Sequence, residues 1–133
     1  MTDPSRPRRL SVLVVDDDPT LCALLCQVVR DFGHDATSAG DGAQALATVE
    51  AARPDLVMID YQMPVMDGVT AARQIRAIDG CADLPLVMIS SCSDTRAAAM
   101  AAGVDRFMVK PVALPLLRRL LDDIAATRPA GAS

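Results

Sequence analysis

Bulky aromatic side chains are almost absent from this chain of 133 residues: it has no Trp, one Tyr and two Phe, although half of it is hydrophobic. Any core must therefore be aliphatic, built of Val, Leu, Ile, Met and Ala. Lysine is scarcer still, since every basic side chain is Arg except Lys110. No apolar run approaches the roughly 20 residues of a membrane span. No secretory signal is visible either, because the apolar stretch Val12 to Val15 stops at three aspartates. These absences lead to the expectation of a soluble, cytoplasmic protein. The four cysteines, Cys22, Cys26, Cys81 and Cys92, lack any C-x-x-C spacing. Cys22 and Cys26 lie one helical turn apart and leave a metal pair open, but no His or second Cys pair accompanies them. Reduced thiols are the simpler reading. Positive charge is also short, the formal balance being −4 with a pI near 4.7. That argues against direct contact with nucleic acid.

The length suits one domain, which at this size buries about two-thirds of its unfolded surface without disulfide or structural metal. Residues 1–9 and 127–133 are rich in Pro, Arg and small residues and are expected to be disordered tails around an ordered 10–126. Within that span strands and helices alternate. Strands are expected at Leu10 to Val15, His34 to Ala39 (the weakest), Leu56 to Ile59, Leu84 to Ile89 and Arg106 to Val109. Helices are expected from Pro19 to Phe32, from an Asp41 cap to about Arg53, after an Asp67 cap, from Asp94 to Ala102, and from Leu114 to Ala126. Gly33 and Gly103 stand where the first and fourth should end. On the first helix, Leu21, Leu24, Leu25, Val28 and Phe32 are assigned to the sheet, leaving Cys22, Cys26 and Val29 as an outward stripe. Five strands alternating with five helices imply a parallel α/β sheet covered on both faces, with its active crevice beyond the carboxyl ends of the strands.

Polar residues collect at those ends. Asp16, Asp17 and Asp18 follow the first strand, Asp60 the third, Ser90 and Ser91 the fourth, and Lys110 the fifth. Each has a plain alternative: a helix cap for Asp, a solvated loop for Lys, a turn for Ser-Ser. Their coincidence at one edge says more. Three carboxylates in a small site repel unless a cation neutralises them, and hard oxygen ligands favour Mg²⁺. With a lone ammonium, a hydroxyl and an Asp nucleophile, the set suits a phosphoryl group.

The segments LVVDDDP (13–19), PDLVMIDYQMPVMDG (54–68), LPLVMISS (84–91) and FMVKP (107–111) resemble the receiver domain of two-component response regulators, over about 10–125. The resemblance implies a flavodoxin-like, doubly wound five-stranded sheet of order 2-1-3-4-5. It implies Asp60 as phosphoacceptor of a two-component system or phosphorelay, served by a histidine kinase or histidine phosphotransfer protein. Asp16, Asp17, Asp60 and the backbone carbonyl of Gln62 would hold Mg²⁺. Lys110 and Ser90 would complete the catalytic set, with Ser90 and Phe107 as the switch pair, and the Lys110–Pro111 bond is expected cis. Phe107 would turn inward as Ser90 moves, reshaping a downstream partner face on the fourth helix, fifth strand and fifth helix. Kinase docking is expected on the stripe Cys22, Cys26 and Val29. The implied role is signalling, with no catalysis beyond self-phosphoryl transfer and autodephosphorylation. Two features depart from the family pattern. Val112 stands where many relatives have Phe, and Asp18 is a third acid, read as a helix cap.

Rival readings exist. Asp16-x-Asp18-x-Thr20 also fits the nucleophile motif of haloacid-dehalogenase-type phosphatases. That family needs a further acid at a strand end after the lysine, whereas Asp122 and Asp123 fall inside the last helix. A degenerate receiver would have lost an acid, the acceptor or the lysine, and all are present. A flavin-binding reading lacks its phosphate loop after the first strand.

Overall fold

The computed structural model describes residues 8–63 and 66–127. Apart from Arg8, Arg9 and Thr127, the expected tails lie outside the described residues, as do Pro64 and Val65 of the 54–68 segment. Five parallel strands, β1 (Ser11–Val15), β2 (Asp35–Ala39), β3 (Leu56–Asp60), β4 (Leu86–Ser90) and β5 (Arg106–Val109), pair in the order β2-β1-β3-β4-β5. The helices between and after them are α1 (Pro19–Asp31), α2 (Gly42–Ala51), α3 (Gly68–Arg76), α4 (Arg96–Ala101) and α5 (Leu114–Thr127). β3 and β4 are buried at every position, which is why they read as unbroken apolar runs.

Alternate strand residues feed two separate cores. Leu13, Val15, Val57, Ile59, Leu86 and Met88 pack under α2, α3 and α4, with Ala45, Ala71, Ile75 and Ala99 as partners. Leu10, Val12, Val14, Leu56, Met58, Val87 and Ile89 face the other way, toward Cys22, Cys26 and Val29 of α1 and Leu117, Leu121 and Ile124 of α5. Small residues on the helices facing the sheet let these aliphatic cores close without aromatic bulk.

The expected face of α1 is right for Leu25, Val28 and Phe32, which pack partly buried against the core shared with α5, and wrong for the rest. Cys22, Cys26 and Val29 are buried, whereas Leu24 is 58% exposed and Leu21 38%. Both stripes are apolar at helical spacing, so the pattern alone does not set the phase. The Asp18 cap and the fit of the smaller thiols under the helix do. Cys22 Sγ lies 3.5 Å from the Val14 carbonyl and Cys26 Sγ 3.9 Å from that of Thr37. Burial first, then the neighbouring Cys26 and Asp16, push the Cys22 thiol up to about 11, so it is inert at neutral pH.

Asp41 and Asp67 cap α2 and α3 as expected. Gly33 and Gly103 follow α1 and α4 at φ of 94° and 92°, a backbone region that suits Gly. The fourth helix differs from expectation: a 3₁₀ turn at Ser93–Thr95 precedes a short α4. Arg8 and Arg9 are tied to the domain through Asp55 and Asp35. Among the described residues no helix is long and apolar enough to cross a membrane.

Candidate functional site

Because the strands are parallel, the residues that end them share one rim. Sheet bonding continues a step past the strands and fixes them: Asp16 N donates to Ala39 O at 3.1 Å, Tyr61 N to Ile89 O at 2.9 Å, and Lys110 N to Ser90 O at 2.8 Å. One carboxylate oxygen each from Asp16, Asp17 and Asp60 falls within 4.8 Å of the others. Asp16 and Asp60 are buried and Asp17 is exposed. Lys110 Nζ reaches Asp60 Oδ1 at 3.0 Å and Asp16 Oδ2 at 3.7 Å. The Lys110–Pro111 peptide is cis, as the resemblance implied. Val112 packs partly buried against the α1–α5 core.

The electrostatics are unbalanced. Burial raises the Asp60 pKa and the charges of Asp16 and Asp17 add to this, outweighing the hydrogen bond and charge of Lys110. Burial works to lower the Lys110 pKa, but the bond to Asp60 and the three carboxylate charges carry it upward. Three carboxylates against one ammonium leave a formal −2 at this rim. That deficit and the all-oxygen donor set fit a divalent hard cation such as Mg²⁺.

Ser90, fully buried, closes β4. Its hydroxyl lies 3.2 Å from the Cys92 carbonyl and accepts from the Cys92 amide at 3.1 Å. Gln62 lies exposed in the loop two residues after Asp60. Phe107 is already buried, 8% exposed, and the Arg96 guanidinium lies over its ring at 5.0 Å from the centroid. Any movement of Phe107 would therefore start from a buried ring under the Arg96 guanidinium. The expected docking residues Cys22, Cys26 and Val29 are not on the surface beside the site. On α1 it is Leu21 and Leu24 that are exposed instead.

Two contributors escaped the sequence reading. Gly68 lies so close to the end of β3 that a Cβ there would sit 2.5 Å from the Asp60 carbonyl oxygen. The Gly in the Met-Asp-Gly run was the available signal. Arg96 left none, since only the fold brings α4 over β5.

Comparison with known proteins agrees with this geometry. Residues 12–122 match the response regulator receiver domain family. The chain is 41% identical over 105 residues to the DNA-binding response regulator MtrA of Mycolicibacterium smegmatis, covering 77% of this chain and 45% of that one. It is 42% identical over 115 residues to the transcriptional regulatory protein PrrA of Mycobacterium leprae, covering 85% of this chain and 47% of that one. The chain thus spans under half the length of these curated relatives. Among solved structures, the receiver domain of a sensor histidine kinase from Pseudomonas aeruginosa, with a magnesium ion coordinated in its active site cleft, superposes with a TM-score of 0.83 at 27% identity. That match covers 90% of this chain and 100% of the other. A response regulator structure from Chloroflexus aurantiacus gives 0.84 at 27% identity, covering 90% and 99%. With its five-stranded 2-1-3-4-5 sheet and acidic rim, the chain belongs to the response regulator receiver domain family of two-component signalling.

Proposed function

We propose that Asp60 is the phosphoacceptor, taking a phosphoryl group from a histidine kinase or histidine phosphotransfer protein. The observation that carries this is the position of Asp60: buried at the end of β3, 3.0 Å from the ammonium of the chain's one lysine and grouped with two further carboxylates. In the transfer, an Asp60 carboxylate oxygen bonds to phosphorus as the P–N bond to the donor imidazole breaks, and the imidazole keeps that electron pair. Asp16, Asp17, Asp60 and the Gln62 carbonyl would hold Mg²⁺, which supplies positive charge against the carboxylates and the incoming phosphoryl oxygens. Lys110 moves from carboxylate to phosphoryl oxygen, and Ser90 exchanges its bond with Cys92 for one to phosphate.

Acetyl phosphate with Mg²⁺ should add one phosphate by intact mass, and Asp60→Asn should abolish it. Modification at Asp16 instead would favour the phosphatase reading. Against that reading stands Asp18, whose carboxylate is engaged by the Thr20 and Leu21 amides rather than free as an acid. Mg²⁺ should also raise the melting temperature, since a ligand at 100 times its Kd adds about 2.7 kcal/mol. An equal rise in Asp17→Ala would remove Asp17 from the ligand set.

The chain acts as a signalling domain of the cytoplasm, with no reaction beyond its own phosphorylation and dephosphorylation. The kinase docks over Leu21 and Leu24. The downstream partner meets α4, β5 and α5, where Met100, Val109, Leu114 and Leu116 stand exposed. The acidic balance argues against nucleic acid contact by this domain itself, whatever the longer relatives bind.

A further inference from the structure

Asp18 sits at a junction of four hydrogen bonds, three running into α1 and one toward the acidic rim. Its Oδ1 accepts from Thr20 N at 2.9 Å and Leu21 N at 3.3 Å, and its carbonyl accepts from Cys22 N at 2.9 Å. These bonds start α1. Its own amide points the other way and donates to Asp16 Oδ1 at 2.9 Å. The other oxygen of Asp16 is the one that faces Lys110 at 3.7 Å.

We propose that Asp18 is a positioning residue for the acidic site: by capping α1 it fixes the peptide whose N–H orients the buried Asp16 carboxylate. The proposal rests on the reading of the rim as a cation site. Asp16 is 3% exposed, so water cannot readily replace that N–H, and a carboxylate freed from it can rotate about its terminal torsion. The Pro19 ring adds rigidity on one side, fixing φ at the first position of α1. Pro19 also disfavours the helical region for residue 18, and within the extended region the side-chain cap sets φ at −86° and ψ at 108°. The third aspartate therefore serves the metal without touching it.

Asp18→Asn and Asp18→Ala separate this role from two simpler ones. Asn caps a helix as well as Asp but carries no charge, whereas Ala does neither. Mg²⁺ affinity measured by calorimetry should weaken about tenfold or more in Asp18→Ala, the usual scale for loss of a group supporting a ligand. In Asp18→Asn it should stay within about twofold. Equal weakening in both variants overturns the proposal in favour of plain charge. A lower melting temperature with unchanged Mg²⁺ affinity in Asp18→Ala overturns it in favour of plain capping. A wild-type protein that binds no Mg²⁺ refutes the cation site itself and this role with it. Independently of the metal, the residue 18 amide proton, bonded to a carboxylate, should resonate downfield in Mg²⁺-free wild type and return toward the random-coil position in Asp18→Ala. A resonance that does not move overturns the proposal.

Discussion

Arg76 offers the sharpest test of what holds the lower edge of the sheet, opposite the acidic rim. From the last turn of α3 its guanidinium donates to the carbonyls of Cys81 (3.1 Å) and Leu84, to that of Gly103 through two nitrogens (3.0 and 2.7 Å), and to Asp105 Oδ2 (2.9 Å). One side chain thus joins α3 to the segments that lead into β4 and β5. Arg76→Met keeps the length and removes every donor. The bonds to Cys81 and Leu84 are partly buried, so each should cost about 1.5 kcal/mol, the lower end for a charged donor. Those to Gly103 are exposed, and water replaces most of their value. The ion pair adds little, because the Asp105 side chain is 53% exposed and exposed pairs contribute up to about 1 kcal/mol. The expected cost is about 3–4 kcal/mol. With a urea dependence of about 1–3 kcal/mol per molar, the unfolding midpoint should fall by about 1–4 M. Asp105→Asn, which keeps an oxygen for the Leu86 amide, should cost under about 1 kcal/mol. Neither change should alter Mg²⁺ affinity, since both lie at the far end of the strands. A cost below about 1 kcal/mol for Arg76→Met would refute the reasoning and show that solvent satisfies these carbonyls.

Three further outcomes follow from the packing. His34 is buried, its Nδ1 accepts from Leu10 N at 3.0 Å, and burial lowers its pKa. The unfolded chain therefore takes up this proton first, so stability should decline as pH falls below about 6.5 toward the folded value; a urea midpoint that ignores pH across that window in wild type would contradict this, and His34→Gln should lack that portion of the decline. Gly68→Ala should lower the melting temperature and disturb Mg²⁺ binding together, at about 1–3 kcal/mol, because its Cβ meets backbone rather than a yielding side chain. Leu24→Glu should slow labelling by the cognate kinase about tenfold while acetyl phosphate labelling stays intact, and Cys26→Glu should instead impair folding by burying a charge; equal kinase rates in Leu24→Glu and wild type would move the docking surface elsewhere.

The alternation of elements, the sheet order and the composition of the rim were legible in the sequence because each rests on local signals. Apolar runs of four residues, Leu56–Ile59 and Leu86–Ile89, mark β3 and β4, and Asp41, Asp67, Gly33 and Gly103 mark helix ends. What stayed hidden depends on contacts between distant segments. Both stripes of α1 are apolar, and leucine bulk drew Leu21 and Leu24 toward the sheet, where Cys22, Cys26 and Val29 lie deepest. The sheet prefers thiols and a valine there because a helix must lie close to it. The surroundings of Phe107 come from Met88 on β4 and Arg96 on α4, which no spacing encodes. Arg76 and Arg96 look like ordinary surface arginines until the fold supplies their carbonyls and ring.

That the only ammonium of any side chain stands against Asp60 makes Lys110 a spectroscopic probe built in at the reacting centre. Reductive methylation with ¹³C-formaldehyde would place isotope on Lys110 and the chain's α-amine alone. With that side chain a quarter exposed, reagent has access to it. The side-chain resonance would then titrate with the lysine, respond to divalent cation and register phosphoryl arrival in one uncrowded spectrum. In most proteins such a view requires the removal of a dozen competing lysines; here arginine has already taken their places.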